Sequence, residues 1–328
     1  MSDYTENGSG NGADQDQYSR DRYDRSRYGD DRFGQSPERP APESSYIPDV
    51  TVGGTFKEAF ARFRANFVPI LLLLVSVSLP VAIIRVFLIE RNFNFGSNYT
   101  ALLELLANQT ADESSVQEAE GLLNKLMLYY GLVLLLSLIL TVMTAGMIRL
   151  AKQGEYREGD ADTDPLKIGF GELFDNAIRL FPKVLLTSVT VGISVFIGLM
   201  LCVVPGILVA YIFQFALCAA VFTGLFGRRA GFVSSLCTRK YPRISVITCM
   251  LYLLYMALIP NFAVNLLSAA FSAAGLSGTA FDLVNLFLIM VQQLLSGFGT
   301  LCVACVFTKL YPGIESMLKS AGLIRQEQ

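Results

Sequence analysis

Long apolar stretches alternate with short polar segments along this chain, and the stretches predict membrane-spanning helices. A helix needs about 20 mostly apolar residues to cross a hydrocarbon core roughly 30 Å thick. Six stretches meet that requirement, which predicts an all-α integral membrane protein. The predicted spans cover about residues 67–89, 126–148, 184–203, 207–226, 244–274 and 282–308. Residues 203–206, Val-Val-Pro-Gly, are expected to supply the turn between the third and the fourth, because Pro and Gly together favour a tight turn.

The first 50 residues follow a different pattern and predict a disordered polar tail. They contain no Leu, and they carry eleven acidic residues against six arginines. Such a segment cannot bury enough apolar surface to offset the entropy of ordering it. Aromatic residues and arginines recur in it at five-residue spacing, at Tyr18, Tyr23, Tyr28 and Phe33 and at Arg22, Arg27 and Arg32. This repeat is either a solvated low-complexity tail or a weak cation–π surface for a protein partner.

Residues 51–312 form the predicted membrane domain, and residues 313–328 form a short cytoplasmic tail. The positions of Lys and Arg orient the domain, because cytoplasmic loops are enriched in both. Of the 20 Lys and Arg after residue 50, only Arg85, Arg91 and Lys125 fall toward the other side. We therefore expect both termini in the cytoplasm and the protein in the cell membrane. The outer segment of about residues 90–125 is either a polar connection or includes a short interfacial helix near residues 102–106.

A weak internal repeat divides the membrane domain into three helical hairpins. The pattern Phe-x-Glu-x-Phe at residues 56–60 recurs 114 positions later at residues 170–174, and residues 239–244 resemble residues 179–184. Each copy predicts a short interfacial amphipathic helix followed by two membrane helices. Thr55 and Glu58 fit a capping box at the start of the first such helix. These helices either sense anionic membrane lipids, the expected lipid partner, or form a structural collar for the bundle.

The fourth span and the segments beside it resemble a known family. The residues that carry the resemblance are Gly192, the sequence VPGILVAYIFQFAL over residues 204–217, and the basic stretch over residues 234–243. They are similar to bacterial multi-pass membrane proteins of unknown function that resemble the membrane domain of glycerophosphoryl diester phosphodiesterase. The resemblance covers about residues 52–312 and implies an all-helical fold with six spans. It implies no catalytic residues, because the phosphodiesterase chemistry of those proteins belongs to a separate soluble domain.

The residue types and motifs of the chain exclude most enzyme chemistry. It contains no His, which excludes His-based triads, general bases and metal ligands. It has no phosphate-binding loop, dinucleotide fingerprint or nucleophile elbow. The alternating acids of residues 160–164 resemble a Ca²⁺ loop, but Pro165 stands where that loop needs Gly, which favours a solvated linker. Cys302 and Cys305 have redox-motif spacing but lie in the sixth span, where buried apolar thiols are expected. No enzyme activity, cofactor or metal is therefore expected.

Polar residues inside the spans are the candidate functional residues. Asn261 and Asn265 share one face of the fifth span, and another polar face lies on the sixth. An ionisable residue within a membrane is a functional-site candidate by default. The full candidate set is Arg85, Asp282, Asn261, Asn265, Asn285 and Gln292. Our hypothesis is that Arg85 pairs with Asp282 at the edge of a polar cavity. The alternative is that these groups hydrogen-bond between helices for packing while Arg85 extends to the interface.

These observations predict a non-enzymatic accessory or scaffold protein of the bacterial cytoplasmic membrane, which recruits a protein partner through its tail. The alternative is a small-molecule or lipid transporter that uses the polar faces of the fifth and sixth spans. Nucleic acid is not an expected partner, because the basic run at residues 228–243 is short and lies against the membrane.

Overall fold

The computed structural model describes residues 50–90, 93, 95–108, 113–153, 167–275 and 278–324. All of these residues belong to one compact unit, residues 48–328. The predicted tail and the acidic alternation at residues 160–164 lie outside the described residues, apart from Val50. Every regular element in the described part of the chain is helical.

The first half of the described chain contains five α-helices and one π-helical segment. In chain order they are α1 (Val52–Ala65), α2 (Phe67–Ile83), π1 (Ile84–Glu90), α3 (Phe95–Asn108), α4 (Glu113–Ile139) and α5 (Thr141–Gln153). Helix α3 lies in the outer segment, where the sequence left a helix and a polar connection as alternatives. The structure contains a helix at this position.

The second half contains seven α-helices and a second π-helical segment. They are α6 (Phe170–Leu201), α7 (Val203–Phe213), α8 (Ala216–Thr223), α9 (Arg228–Lys240), α10 (Pro242–Met256), π2 (Ala257–Ala263), α11 (Val264–Ala273) and α12 (Gly278–Ser320). Helix α12 has 43 residues. At 1.5 Å per residue it is about 65 Å long, so it extends well beyond a bilayer core.

Six helical stretches are long and apolar enough to cross a membrane, which confirms the predicted number of spans. They are Phe67–Glu90, Val116–Lys152, Phe170–Leu201, Val203–Thr223, Pro242–Phe271 and Gly278–Ser320. Each predicted span falls within or largely overlaps one of them. Most of the observed stretches are longer than predicted, because the polar segments next to those spans continue as helix, while the fifth, Pro242–Phe271, is one residue shorter. The chain is a multi-pass membrane protein.

An amphipathic lead-in helix precedes each of the three hairpins, as predicted. The lead-in helices are α1, residues 170–181 of α6, and α9. Between lead-in and span the backbone leaves the helical region at Asn66 (φ −113°, ψ 22°) and at Tyr241 (φ −123°, ψ 60°). The second copy has no such break, because α6 runs on through Pro182 as a single helix. We call the end of the bundle that carries these helices the lead-in end.

The start of α1 differs from the prediction. The N-cap residue is Thr51, whose hydroxyl accepts the N–H of Gly54 at 3.2 Å. Thr55 lies one turn further on and is buried, while the carboxylate of Glu58 faces Arg62 and Lys309. The prediction of a capping box at Thr55 is therefore wrong. Thr51 supplies a cap four residues earlier, and Glu58 is used in ion pairs.

The turn between the third and fourth spans also lies elsewhere than predicted. The chain reverses at Cys202, whose backbone is extended, and Pro205 is already inside α7. A proline in the first turn of a helix loses no hydrogen bond, because the N–H groups there have no partner within the helix. Gly206 serves close packing instead: a Cβ on Gly198 would lie 3.0 Å from the Cα of Gly206. Two glycines therefore let α6 and α7 approach closely.

The main core lies toward the lead-in end of the bundle. Its largest fully buried side chains include Phe215, Met147, Leu173 and Phe307. The ring of Phe307 lies 5.7 Å from that of Phe215, within the usual range for aromatic pairs. A small separate cluster near the other end consists of Ala82, Val86 and Ile289. The lead-in helices are thus packed into the protein and form part of its core.

Candidate functional site

Segment π1 brings two charged residues of the first span together. The Nε atom of Arg85 lies 3.0 Å from Oε1 of Glu90, and the amide of Asn285 on α12 donates to Oε2 of Glu90 at 3.0 Å. In an α-helix, residues five apart point to different faces. The i→i+5 hydrogen bonding of a π-helix widens the turn and brings the fifth residue back near the first. The π winding therefore builds an Arg85–Glu90–Asn285 chain of polar contacts.

The predicted pair between Arg85 and Asp282 is not formed. The guanidinium of Arg85 is bound to Glu90, and Asp282 makes no ion pair within the described part of the chain. Asp282 is half-buried on α12, about one turn before Asn285. The physical reason is local: Glu90 is on the same helical segment as Arg85, so pairing with it needs no rearrangement between spans. The predicted first span ends at residue 89 and therefore excludes Glu90.

Segment π2 places Asn261 against the last helix. The amide of Gln292 donates to Oδ1 of Asn261 at 2.8 Å, and the amide of Asn261 donates to the carbonyl of Met256 at 2.7 Å. In an α-helix the carbonyl of Met256 would accept the N–H of residue 260, but Pro260 has none. The side chain of Asn261 supplies a donor to that carbonyl. Pro260 therefore explains both the position and the partner of Asn261.

Both π segments contact the same face of α12. Asn285 and Gln292 are seven residues apart, so they lie on one face of the helix, roughly 10 Å from each other along its axis. Each of them is engaged by one side chain of a π segment, Glu90 or Asn261. Asn265 is exposed on the bundle surface and makes no side-chain hydrogen bond in the described residues. The polar face predicted for the sixth span is therefore used in contacts between helices.

Buried charges at the lead-in end hold α1 to the bundle. Arg62 is 7% exposed, and its Nη1 donates to the carbonyls of Ala151 at 2.6 Å and Leu150 at 3.3 Å. Its Nη2 lies 2.7 Å from Oε1 of Glu58, whose Oε2 lies 3.0 Å from Nζ of Lys309. Because a helix C-terminus has carbonyls without intrahelical partners, Arg62 acts as a cap of α5. This network connects α1, α5 and α12.

Two lysines bind carbonyls at this end in the same way. Nζ of Lys152 lies 2.9 Å from the carbonyl of Phe222 near the end of α8, and Nζ of Lys240 lies 2.6 Å from the carbonyl of Gly313. These cations are used in structure and are not free for headgroups. Other cations at this end are exposed: Lys57, Arg64, Arg179, Arg228, Arg229, Arg239 and Arg243. The lead-in end therefore combines cations that hold helices together with an exposed basic surface.

An apolar groove lies between α1, α10 and α12, with a volume of about 270 Å³. Each of the three helices forms one wall, lined by residues such as Phe56 of α1, Leu251 of α10 and Val303 of α12. The ring of Phe298 lies at its base, 5.5 Å from the ring of Phe56. Phe56 is 53% and Leu251 is 44% exposed, so the groove opens on the outer surface of the bundle. We call this space the α1–α10–α12 groove.

The thiols of the chain lie mostly inside the bundle. Cys218, Cys237 and Cys305 are buried and free, and Cys202 is exposed at the hairpin turn. Burial raises the pKa of the Cys237 thiol on α9 to about 12, which removes its nucleophilic thiolate at neutral pH. The described residues contain no group of three or more His, Cys, Asp or Glu able to hold a metal ion.

Sequence reasoning missed the network around Arg62 and the role of Glu90. The four-residue spacing of Glu58 and Arg62 is a known signal for a helical ion pair. The signal for Glu90 was weaker, because a spacing of five from Arg85 favours contact only in a π-helix. No sequence signal pointed to the groove, since its walls come from three segments far apart in the chain.

No protein-family model, curated protein or solved structure matches this chain. The resemblance to the membrane domain of glycerophosphoryl diester phosphodiesterase therefore stays a prediction.

Proposed function

We propose that this chain is a non-enzymatic accessory protein of the cell membrane that acts as a scaffold for a protein partner. The observation that carries the proposal is the pairing of the candidate polar residues. Asn285 is bonded to Glu90, and Gln292 is bonded to Asn261. Hydrogen bonds between membrane helices stabilise a bundle by modest amounts and are a common use of Asn and Gln. These residues then serve packing, as in a scaffold.

The orientation forms part of the proposal. Lys and Arg concentrate at the lead-in end, and cytoplasmic loops carry such an excess. We therefore assign the lead-in end, and with it both termini, to the cytoplasm. The acidic tail would then lie on the side where soluble partners are found. Its repeat of aromatic residues and arginines offers weak contacts of the kind that bind a partner without a folded surface.

The transporter alternative assigns substrate contacts to the polar faces of the fifth and sixth spans. Such a role requires that polar side chains of both spans face a common pathway. Asn265 is exposed on the surface of the bundle, while Gln292 is bonded to Asn261. The pairing supports the scaffold role over this alternative, and the resemblance to a membrane domain without catalytic residues agrees with it.

A complementation experiment separates the two functions. In a deletion strain of the source organism, the lipid and metabolite profiles are compared after expression of four chains. They are the full chain, a chain with residues 1–45 replaced by a Gly/Ser linker of equal length, Asn265→Leu, and Gln292→Leu. A scaffold predicts that the linker chain fails to restore the profile and that both Leu variants restore it. Equal amounts of each chain in the membrane fraction serve as the control.

The reverse result contradicts the proposal. If Gln292→Leu or Asn265→Leu abolishes complementation while the linker chain restores it, the polar faces carry the function and the transporter alternative is correct.

A further inference from the structure

We propose that the α1–α10–α12 groove binds an acyl chain of an anionic phospholipid from the leaflet at the lead-in end. Lipid binding here is a role beyond that of a scaffold, because the groove is a site that none of the candidate polar residues forms. It is also independent of that role, because lipid occupancy is measured without any partner.

The shape of the groove fits a single hydrocarbon chain. Its wall on α10 extends from Ile244 to Tyr255, which is about 16 Å at 1.5 Å per residue. Its lining is mostly aliphatic and aromatic, with Thr55, Thr248 and Cys302 as the exceptions besides Gly299. The ring of Tyr255 packs directly against Gly299, where a Cβ would lie only 2.7 Å from the ring. The long axis follows α10, a membrane span, so a chain lying in the groove keeps the direction of the bilayer lipids around it.

The position of the groove favours a lipid over a soluble ligand. Ile247 is 50% exposed and Leu251 is 44% exposed, and both belong to a span. The groove therefore opens where the bundle faces hydrocarbon. Because lipid chains are as apolar as the groove, entry gains little from the hydrophobic effect. Any preference for one lipid must come from its headgroup.

Two exposed cations are next in sequence to residues that line the groove. Arg243 directly precedes Ile244, and Lys57 directly follows Phe56, and both flanked residues line the groove. Neither cation makes a salt bridge within the described chain. The N-terminus of α10 adds N–H groups that no side chain caps. This arrangement complements a phosphate, and each cation near a membrane surface is worth roughly a fivefold preference for anionic lipid.

The polar tail is a poorer occupant on chemical grounds. It joins the groove at Val50, but the ten residues before Val50 contain only Tyr46 and Ile47 as large apolar side chains. Two such side chains match a long apolar groove less well than a continuous hydrocarbon chain does.

The absence of Trp from the chain permits a clean test. The full protein carrying Leu251→Trp is reconstituted in vesicles that contain brominated phosphatidylglycerol in phosphatidylcholine, or the reverse. Bromine on the acyl chain quenches Trp fluorescence at close contact. Leu253→Trp is the matched control, because residue 253 lies on the other face of α10 with a similar exposure of 46%. Ile247→Trp is a second groove reporter in case the first variant folds poorly.

At equal mole fractions, the groove reporters should select phosphatidylglycerol over phosphatidylcholine by about fivefold or more, and Leu253→Trp by less than twofold. Adding Arg243→Gln should reduce that selectivity several-fold, whereas Arg229→Gln on α9 should leave it unchanged. Equal quenching by both lipids at the groove reporters would overturn the proposal. Quenching that appears only after residues 1–45 are removed would also overturn it, since the tail would then be the occupant.

Discussion

Replacing Arg62 tests whether α1 is fixed to the bundle by the network that the structure contains. Arg62→Leu leaves a shorter, apolar side chain and removes every polar contact of the guanidinium. These contacts are two hydrogen bonds to the end of α5 and one ion pair with Glu58. The substitution leaves two helix carbonyls buried without this donor and weakens the attachment of α1.

The expected loss in the free energy of unfolding follows from the same contacts. Removing one partner of a buried charged pair costs about 3–5 kcal/mol. Glu58 is 28% exposed and keeps Lys309 as a partner, so its charge is neither fully desolvated nor left alone. The loss should therefore fall at the lower end, at about 3 kcal/mol. Arg62→Lys should lose part of this stability, because the single ammonium group of Lys lacks the planar fork with which Arg62 reaches the carbonyls and the carboxylate together.

The assay is reversible unfolding of the purified protein in mixed micelles, followed by circular dichroism as denaturing detergent is added. Arg64→Leu is the matched control. Arg64 lies on the same helix, is exposed, and should change stability by no more than about 0.5 kcal/mol. The double variant Arg62→Leu with Glu58→Leu should show a coupling of about 1 kcal/mol or more. Equal effects of Arg62→Leu and Arg64→Leu, with additive double-variant losses, would refute the reasoning.

Three other predictions use the same unfolding assay or simple chemistry. Gly198→Ala should cost about 1–3 kcal/mol, because its Cβ meets the backbone of the adjacent helix, whereas Gly192→Ala, with no atom within 4 Å, should be neutral or stabilising. In a double-mutant cycle, Gln292→Leu and Asn261→Leu should show an interaction free energy near 0.6 kcal/mol. Additive losses of stability in the double variant would contradict the hydrogen bond. Cys237 should resist alkylation at pH 8 in the native protein, because a pKa of about 12 leaves roughly one thiol in 10⁴ ionised. Rapid alkylation at pH 8 would contradict the burial. Since folding raises this pKa, the folded state should lose stability only as the pH rises above about 9, where the thiol of the unfolded chain ionises.

The spans were predictable because long apolar stretches report membrane burial directly. The lead-in helices were also predictable, since aromatic residues repeat at helical spacing before two of the hairpins. The bonding of individual polar residues was not. Arg85 and Glu90 meet only because the helix changes from α to π winding, and a pattern read with α-helical periodicity assigns them to different faces.

The remaining errors have local causes. The predicted capping box at Thr55 requires Glu58 to be free to bond a backbone N–H at the helix start. It is not free, because Arg62 and Lys309 bind its carboxylate. Pro205 and Gly206 resemble a turn in sequence. In the structure the glycine is needed for contact with Gly198, so the reversal occurs earlier, at Cys202.

Cysteine labelling of intact cells tests the central claim that the three lead-in helices share the cytoplasmic side. Cys202→Ser removes the exposed native thiol, because the other five are buried or half-buried. Single cysteines are then introduced by Lys57→Cys, Arg179→Cys and Arg229→Cys in the lead-in helices and by Ser114→Cys in the outer segment. An impermeant maleimide should label Ser114→Cys in intact cells and the other three only after permeabilisation. Labelling of any lead-in position in intact cells, or of Ser114→Cys only after permeabilisation, would contradict the account.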